Sequence, residues 1–147
     1  SSAASDVYKR QAVSNDRLYK NNGDGTFSDV TIESGITVEG FGLGVAISDV
    51  NHDGWPDIFI GNDYITNDLL YINNQDGTFS NKIRDFIKHQ SMFSMGVDIS
   101  DFNNDGYNDI LLASTIHEPY YHSRVIQFFR QTSRKAQRGR YRQCLGF

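Results

Sequence analysis

A nine-residue acidic segment occurs twice in this chain, 52 positions apart. The copies are Asp49–Asp57 and Asp101–Asp109, and both read D-x-N-x-D-G-x-x-D. The likeness extends further, because residues 15–58 align without a gap to residues 67–110 and 22 of these 44 positions are identical. A repeat of about 40–50 residues that is rich in short strands is typical of propeller-type arrays. The repeat therefore constrains both the fold and the place of any site.

Short apolar runs flank each acidic segment. Val45–Ser48 and Val97–Ser100 alternate in the manner of strands that lead into the segments. Ile58–Ile60 and Ile110–Leu112 are apolar runs that leave them, and buried strands are their simplest interpretation. Each acidic segment is therefore predicted to be a loop between two strands.

A hairpin is predicted in the other half of each repeat. Leu69–Ile72 has the pattern of a strand, and Asn74–Gly77 is a turn because Asp-Gly supplies the positive φ that a tight hairpin needs. Phe79 begins the return strand, and Asn22–Gly25 makes the same turn one repeat earlier. Residues 83–89 predict one or two helical turns between blades. The predicted fold class is all-β, with two four-stranded antiparallel blades of an incomplete β-propeller.

The repeat stops abruptly on both sides. We expect blade repeats at 12–66 and 67–116, and we interpret 1–11 as a non-native leader that resembles translated adaptor sequence from metagenomic reads. From Pro119 onward the chain has seven Arg/Lys and no Asp/Glu, and no third copy appears. The segment 117–147 is therefore predicted to be a basic tail, out of frame or disordered. The alternative is a tail that binds nucleic acid or an anionic membrane surface.

Composition excludes several classes of function. A hydrophobic content of 38% and an aromatic content of 13% are enough for a packed core. The sequence contains no run of about 18 apolar residues, so no membrane span is predicted. Cys144 is the only cysteine and lies in the basic tail, so the repeats depend on neither disulfides nor thiol chemistry. The acidic repeats argue against nucleic acid as a partner.

The acidic loops have the ligand chemistry of calcium, which takes six to eight oxygens. In the first loop Asp49, Asn51 and Asp53 alternate, so their side chains can converge on one point. Trp55 would give its backbone carbonyl, and Asp57 would close the site. The second loop offers the same set, namely Asp101, Asn103, Asp105, Tyr107 and Asp109. We therefore expect two Ca²⁺ sites.

Other interpretations of these loops fit less well. An EF-hand places a bidentate acid at position twelve between helices, whereas position twelve here is Ile60 or Leu112 and the flanks are strand-like. The one histidine, His52, stands at a non-ligand position of the first loop and neither loop has a cysteine, so zinc and copper are poor candidates. A turn rich in Asp and Asn that binds nothing is the remaining alternative. Two copies with the same donor positions argue against it, because carboxylates gathered this closely repel one another.

At this point the chain resembles a known family. Residues 41–61, which begin Phe-Gly and contain the first acidic loop, resemble an FG-GAP repeat, the blade unit of the integrin α-subunit propeller and of bacterial VCBS-type surface proteins. Leu70–Phe79 resembles the bacterial version. Gly61–Asp63 departs from the family's Gly-Ala-Pro, and Ser94 replaces the glycine of the second Phe-Gly pair. The resemblance implies a calcium-stabilised propeller, usually of seven blades, on an exported protein.

The function expected from these observations is that of a non-enzymatic module. It would be part of an extracellular or cell-surface calcium-binding propeller for adhesion to an unknown protein or glycan ligand, and its other partners would be the missing blades of the same parent. The alternative is the non-catalytic part of an exported propeller enzyme, such as a polysaccharide lyase. Trp55 and Tyr107 share a repeat position and either contact a ligand or pack against their loops. The glycines of Gly40–Gly44 precede a strand, not a helix, so a nucleotide-binding loop is not expected.

Overall fold

The computed structural model of the chain describes residues 15–64, 66–87, 90–91, 93–118, 121–130 and 143–144. These residues form ten strands and one short helix. The elements in chain order are β1 Tyr19–Asn21, β2 Phe27–Asp29, β3 Gly42–Ser48, β4 Asp57–Asn62, β5 Leu69–Asn73, β6 Phe79–Asn81, α1 Ile83–Phe86, β7 Ser94–Ser100, β8 Asp109–Glu118, β9 Tyr121–Arg130 and β10 Gln143–Cys144. The all-β prediction is confirmed, and the strands expected beside both acidic loops are present.

The first sheet has four antiparallel strands in the order β3-β4-β5-β6. β4 is buried along its whole length, as expected for a central strand whose two faces both meet apolar neighbours. The β5–β6 hairpin turns at Gln75 and Gly77, which have φ of 68° and 89°. The Asp-Gly signal in the sequence therefore located this turn correctly.

The second sheet has the order β7-β8-β9-β10, and its strands are also antiparallel. Its outer strands β9 and β10 lie within 117–147, the segment that we predicted to be an out-of-frame or disordered tail. The backbone of β9 pairs with β8 from Arg130 opposite Asp109 to Tyr121 opposite Glu118. Whether this segment is native sequence stays a prediction, because strand pairing does not report its origin.

The boundaries of the sequence repeats do not coincide with the boundaries of the sheets, so repeats and sheets are out of phase. We expected the four strands of one repeat to form one blade, but the first sheet takes β3 and β4 from the first repeat and β5 and β6 from the second. The first repeat's own hairpin, β1–β2, forms a separate two-stranded sheet. The connections account for this grouping, because six residues, 63–68, join β4 to β5, whereas twelve residues, 30–41, separate β2 from β3. A blade is therefore completed across the boundary between repeats.

The main core lies between the two four-stranded sheets. Phe59 and Leu70 of the first sheet, together with Val50, meet Ile110 and Leu112 of the second, and all five are buried. The helix α1 covers one side of this core through Ile83, and Ile87 follows it. One helical turn is therefore confirmed within 83–89, and its physical role is to close the inter-sheet core.

The two sheets approach each other most closely at glycines. A Cβ added at Gly44 would lie 3.2 Å from a methyl group of Val97, and one at Gly61 would lie 3.1 Å from the Cβ of Ser94. Both distances are tighter than ordinary van der Waals contact, so glycine at these two positions lets β3 and β4 lie against β7. The Gly-x-Gly pattern that introduces β3 thus has a packing role.

Candidate functional site

Both acidic loops have the same backbone shape. His52 and Gly54 have φ of 58° and 89°, and the residues 52 positions later, Asn104 and Gly106, have φ of 57° and 84°. Glycine adopts this left-handed conformation without strain, which explains its place in both copies. The two loops are therefore equivalent in structure as well as in sequence.

Asp49 holds the turn of the first loop. Its Oδ1 accepts a hydrogen bond from the Asp53 amide at 3.0 Å, and its Oδ2 accepts one from the Gly54 amide at 2.8 Å. The Oδ1 of Asn51 accepts from the same Asp53 amide at 3.0 Å. Two predicted ligand oxygens, one from Asp49 and one from Asn51, thus converge on a single N–H group.

Asp53 lies at the exposed tip of this loop. Its Oδ1 accepts the Trp55 amide at 2.9 Å, and its Oδ2 accepts the Asn51 side-chain amide at 2.9 Å and that of Gln75 at 3.3 Å. The hydrogen bond from the Trp55 amide, followed by that from Asn51, holds the pKa of Asp53 below its usual value. These hydrogen bonds therefore favour the charged form of Asp53 at the tip of the loop.

Asp57 points inward, unlike the other three side chains. It is fully buried; its Oδ2 accepts the Val50 amide at 2.9 Å and its Oδ1 accepts the Asn73 amide at 2.9 Å. Burial raises the pKa of this carboxyl, and these hydrogen bonds oppose the rise. Asp57 therefore ties the acidic loop to β5 of the next repeat, a role that the sequence pattern did not indicate.

The second loop repeats most of these bonds. Asp101 accepts the amides of Asp105 and Gly106 at 3.0 and 2.8 Å, and Asp105 accepts the Tyr107 amide at 3.0 Å. The closing acid, Asp109, is buried. Its Oδ2 accepts the side-chain amide of Asn103 at 2.7 Å, whereas the first loop directs the equivalent Asn51 amide to Asp53. The two loops therefore differ chiefly in how this Asn side chain is oriented.

The loops lie side by side. The ring of His52 meets that of Tyr107 edge to face, with centroids 5.1 Å apart. Asn108 donates to the Ser48 hydroxyl at 2.9 Å and to the Asp49 carbonyl at 3.0 Å. Tyr107 thus packs against the neighbouring loop, while Trp55, at the same repeat position, stays exposed. The two sites are joined by direct contacts between the sheets.

The donor atoms suit a hard cation, although they are not drawn into one cluster. Within the ranges that the structure describes, no group of three or more His, Cys, Asp or Glu side chains is gathered as a metal centre. In the first loop one oxygen each of Asp49 and Asn51 accepts the same amide N–H, while Asp57 is turned inward. A carboxylate oxygen has two lone pairs, so one accepted hydrogen bond still leaves capacity for a cation. The arrangement fits calcium in donor type.

Comparison with known proteins identifies the repeat. A family model described as an FG-GAP-like repeat matches residues 4–60 and again residues 49–112. The chain belongs to the FG-GAP-like repeat family. The first match starts inside 1–11, and the prediction that this segment is a non-native leader stays a prediction.

Parts of several curated proteins are similar in sequence to this chain. The chain is 36% identical over 110 residues to cartilage acidic protein 1 of Xenopus tropicalis, and the aligned region covers 71% of this chain and 16% of that protein. It is 40% identical over 84 residues to human integrin alpha-6, covering 50% of this chain and 7% of the integrin. Human integrin alpha-7 is 28% identical over 107 residues, 66% of this chain and 9% of its own length. The chain thus spans a small part of each relative.

Both repeats of this chain contain a second element with matching hydrogen bonds, the Asn-x-Asp-Gly-Thr hairpin. Asp76 accepts the Thr78 amide at 2.9 Å and its hydroxyl at 2.6 Å, and Asp24 accepts the same two groups of Thr26 at 2.9 and 2.6 Å. The Thr hydroxyl bond, followed by the Thr amide bond, lowers the pKa of both carboxyls. These acids stabilise turns, and the repeated spacing in the sequence was the signal for them.

A buried acid, Asp68, links the two four-stranded sheets of this chain. Asp68 accepts the Asn62 amide at 2.9 Å and the Ser94 hydroxyl at 3.0 Å. Ser94 stands where the family pattern has glycine, and its hydroxyl makes this bond across to β7. Burial raises the pKa of Asp68 above its ordinary value of 3.8, while the bonds to Asn62 and Ser94 oppose the rise.

This pKa predicts a pH dependence of stability. The folded state binds a proton at Asp68 more readily than the unfolded chain does. The contribution of Asp68 to the free energy of unfolding is therefore largest below pH 3.8 and falls as the pH rises through the raised pKa. Asp68→Asn is neutral at every pH and keeps an acceptor for the Asn62 amide. We expect Asp68→Asn to gain stability relative to wild type as the pH rises from 3.8 through the raised pKa of Asp68. Urea unfolding across this range measures the difference, and a difference independent of pH would contradict the assignment.

Proposed function

We propose that this chain is a calcium-binding part of a β-propeller on an exported protein, and that it acts in adhesion or ligand binding without catalysing a reaction. The observation that supports this proposal most is the pair of equivalent oxygen-rich loops that lie in contact at neighbouring sheets. The relatives named above include integrin alpha chains, which supports a protein or glycan ligand at the cell surface. In the described part of the chain, no helix is both long and apolar enough to cross a membrane.

The proposed ligands in the first site are the side chains of Asp49, Asn51, Asp53 and Asp57 with the carbonyl of Trp55. In the second site they are Asp101, Asn103, Asp105, Asp109 and the carbonyl of Tyr107. The ion would neutralise the acids of each loop and fix the connection between the strands that enter and leave it. Its role is structural, because the same carboxylates cannot easily donate protons while they are bound to a cation.

The two proposed sites support each other. Asn108 comes from the second loop and donates to the carbonyl of Asp49 in the first, so ordering either loop helps to position the other. A pair of structural ions at adjacent blades would therefore stiffen one end of the sheet pair. A stiff, acidic rim of this kind suits a surface that presents ligand-binding groups.

Calcium titration of the full chain tests the proposal. Extracellular calcium modules bind with dissociation constants of about 10⁻⁴–10⁻³ M, so 10 mM calcium is expected to add about 1.4–2.7 kcal/mol per site to the free energy of unfolding. The measurement is thermal unfolding in EDTA and in increasing calcium. The double variant Asp53→Ala and Asp105→Ala is expected to lose the calcium response.

Glu33→Gln is the matched control, because it removes one exposed negative charge outside both loops. It should keep the full calcium response. A response of equal size in the double variant, or no shift in wild type, would show that the loops hold no structural calcium. Magnesium at the same concentration separates specific binding from general screening of the acidic surface.

A further inference from the structure

The sequence contains one Asn-Gly pair, Asn22-Gly23, and it lies in the turn between β1 and β2. Both residues are exposed, and Gly23 has a φ of 82°. The side-chain carbonyl carbon of an asparagine is open to attack by the backbone nitrogen of the residue that follows it. Glycine hinders this attack least, because it has no Cβ. The pair is therefore a place where the chain can react with itself.

The hairpin between β5 and β6 has the same frame but a different residue after the asparagine. Its turn contains Asn74 and Gln75, and Gln75 has a φ of 68°. The Nδ2 of Asn22 donates to the Thr26 hydroxyl at 2.8 Å, and the Nδ2 of Asn74 donates to the Thr78 hydroxyl at 2.9 Å. The two asparagines thus share their hydrogen bonds and differ in the Cβ of the residue that follows.

A serine hydroxyl polarises the carbonyl group that would be attacked. The Oγ of Ser28 donates to the Oδ1 of Asn22 at 3.1 Å. Attack at the carbonyl carbon places negative charge on this oxygen, and a donor that is already in position stabilises that charge. The N–H of Gly23, which gives up its proton in the reaction, donates to the Oδ1 of Asn21 at 2.8 Å. Both reacting groups are thus held in neighbouring residues of one exposed turn.

The Asp-Gly pairs of the same two hairpins are protected from this attack. Asp24 and Asp76 each precede a glycine. The hydroxyl of Thr26, followed by its amide, holds the pKa of Asp24 below the usual value, and Thr78 does the same for Asp76. Both carboxyls are therefore charged at neutral pH, and a carboxylate is a poor target for a nucleophile. The neutral amide of Asn22 has no such protection.

We propose that Asn22 is a site of spontaneous deamidation in the folded chain, with water as the co-reactant. The Gly23 nitrogen loses its proton to hydroxide and bonds to the Cγ of Asn22. The Cγ–Nδ2 bond then breaks, and Nδ2 takes up a proton from water and leaves as ammonia. The product is a cyclic imide, which water opens at either of its two carbonyl carbons. One opening gives aspartate and the other gives isoaspartate, and nothing is oxidised or reduced.

The modification alters the β1–β2 hairpin. It removes the donor to the Thr26 hydroxyl and places a negative charge close to Asp24. In isoaspartate the main chain is also one carbon longer, which disturbs the bond from the Asn22 amide to the Thr26 carbonyl, now 3.0 Å long. Among the described residues β1 pairs only with β2. The change therefore loosens this hairpin and leaves the pairing of the two four-stranded sheets intact.

Ageing of the folded full chain tests the proposal. The protein is held in a mildly alkaline buffer with EDTA, so that calcium binding plays no part, and samples are digested at intervals. Mass spectrometry of the peptides gives the converted fraction at Asn22 and at Asn74. Conversion at Asn22 is expected to be about tenfold faster or more, which corresponds to a barrier lower by about 1.4 kcal/mol.

Two reciprocal variants are the matched controls, because each gives one hairpin the residue that the other already holds at positive φ. Gly23→Gln should slow the conversion of Asn22 to the rate of Asn74. Gln75→Gly should raise the conversion of Asn74 to the rate of Asn22. Equal rates at the two asparagines in wild type, or rates unchanged by the exchange, would overturn the proposal. Conversion of Asn22 only after unfolding in urea would show that the hairpin protects it, and the proposal would fail.

Discussion

Phe59→Ala is expected to destabilise the chain by about 3–5 kcal/mol, because the side chain is fully buried where the two four-stranded sheets meet. The ring fills the space between Leu70 of its own sheet and Ile110 and Leu112 of the next. Its removal opens a cavity that neither sheet can close without moving the other. We therefore expect loss of cooperative unfolding between the sheets as well as a lower midpoint in urea.

Val45→Ala is the matched control for Phe59→Ala. Val45 lies on the adjacent strand of the same sheet but is 65% exposed, so its truncation should change stability by less than about 1 kcal/mol. Urea unfolding followed by tyrosine fluorescence and by circular dichroism measures both effects. A cost for Phe59→Ala as small as that for Val45→Ala would mean that the sheets do not share this core.

Asp57→Ala is expected to have the second large effect. The change leaves the buried amide of Val50 and the amide of Asn73 without their acceptor, at a cost of roughly 1–3 kcal/mol each. The acidic loop would then lose its buried bond to β5 and keep the exposed bonds from Asn73 to the Pro56 carbonyl and from Gln75 to Asp53. Because both bonds are to the protein itself, this loss should appear in EDTA, where calcium cannot contribute.

Asp57→Asn gives the graded comparison, since its amide keeps one oxygen acceptor and loses the other. We expect it to fall between wild type and Asp57→Ala in chemical unfolding. Burial raises the pKa of Asp57, so the neutral Asn also avoids burying a charge, which should reduce its cost further. If Asp57→Ala destabilised only in the presence of calcium, its role would be that of a ligand alone.

Most of the fold could be predicted from the sequence repeat. Alternation in Val45–Ser48 and Val97–Ser100 located two strands, and the Asp-Gly turns located the hairpins, because period-two burial and positive φ are local properties. Which strands of neighbouring repeats share one sheet was not predictable in this way. It depends on whether β4 pairs onward with β5, and identical repeat sequences are compatible with either grouping.

The candidate site was predictable in its chemistry but not in its hydrogen bonds. Asp49 and Asp53 belong to the loop that the spacing indicated, and Gly54 takes a left-handed conformation within it. The inward turn of Asp57 was missed, because it depends on an amide of Asn73 that lies 16 positions later in another strand. The bond from Asn108 to Asp49 spans 59 positions and depends on sheet packing.

The phase shift between repeat and sheet also has a mechanical consequence. Each repeat places its first two strands in one sheet and its next two strands in the following sheet. The seam between neighbouring sheets is therefore crossed by covalent chain, so force that pulls the sheets apart must also stretch a repeat. Such bonding lets load pass from one sheet to the next through the backbone.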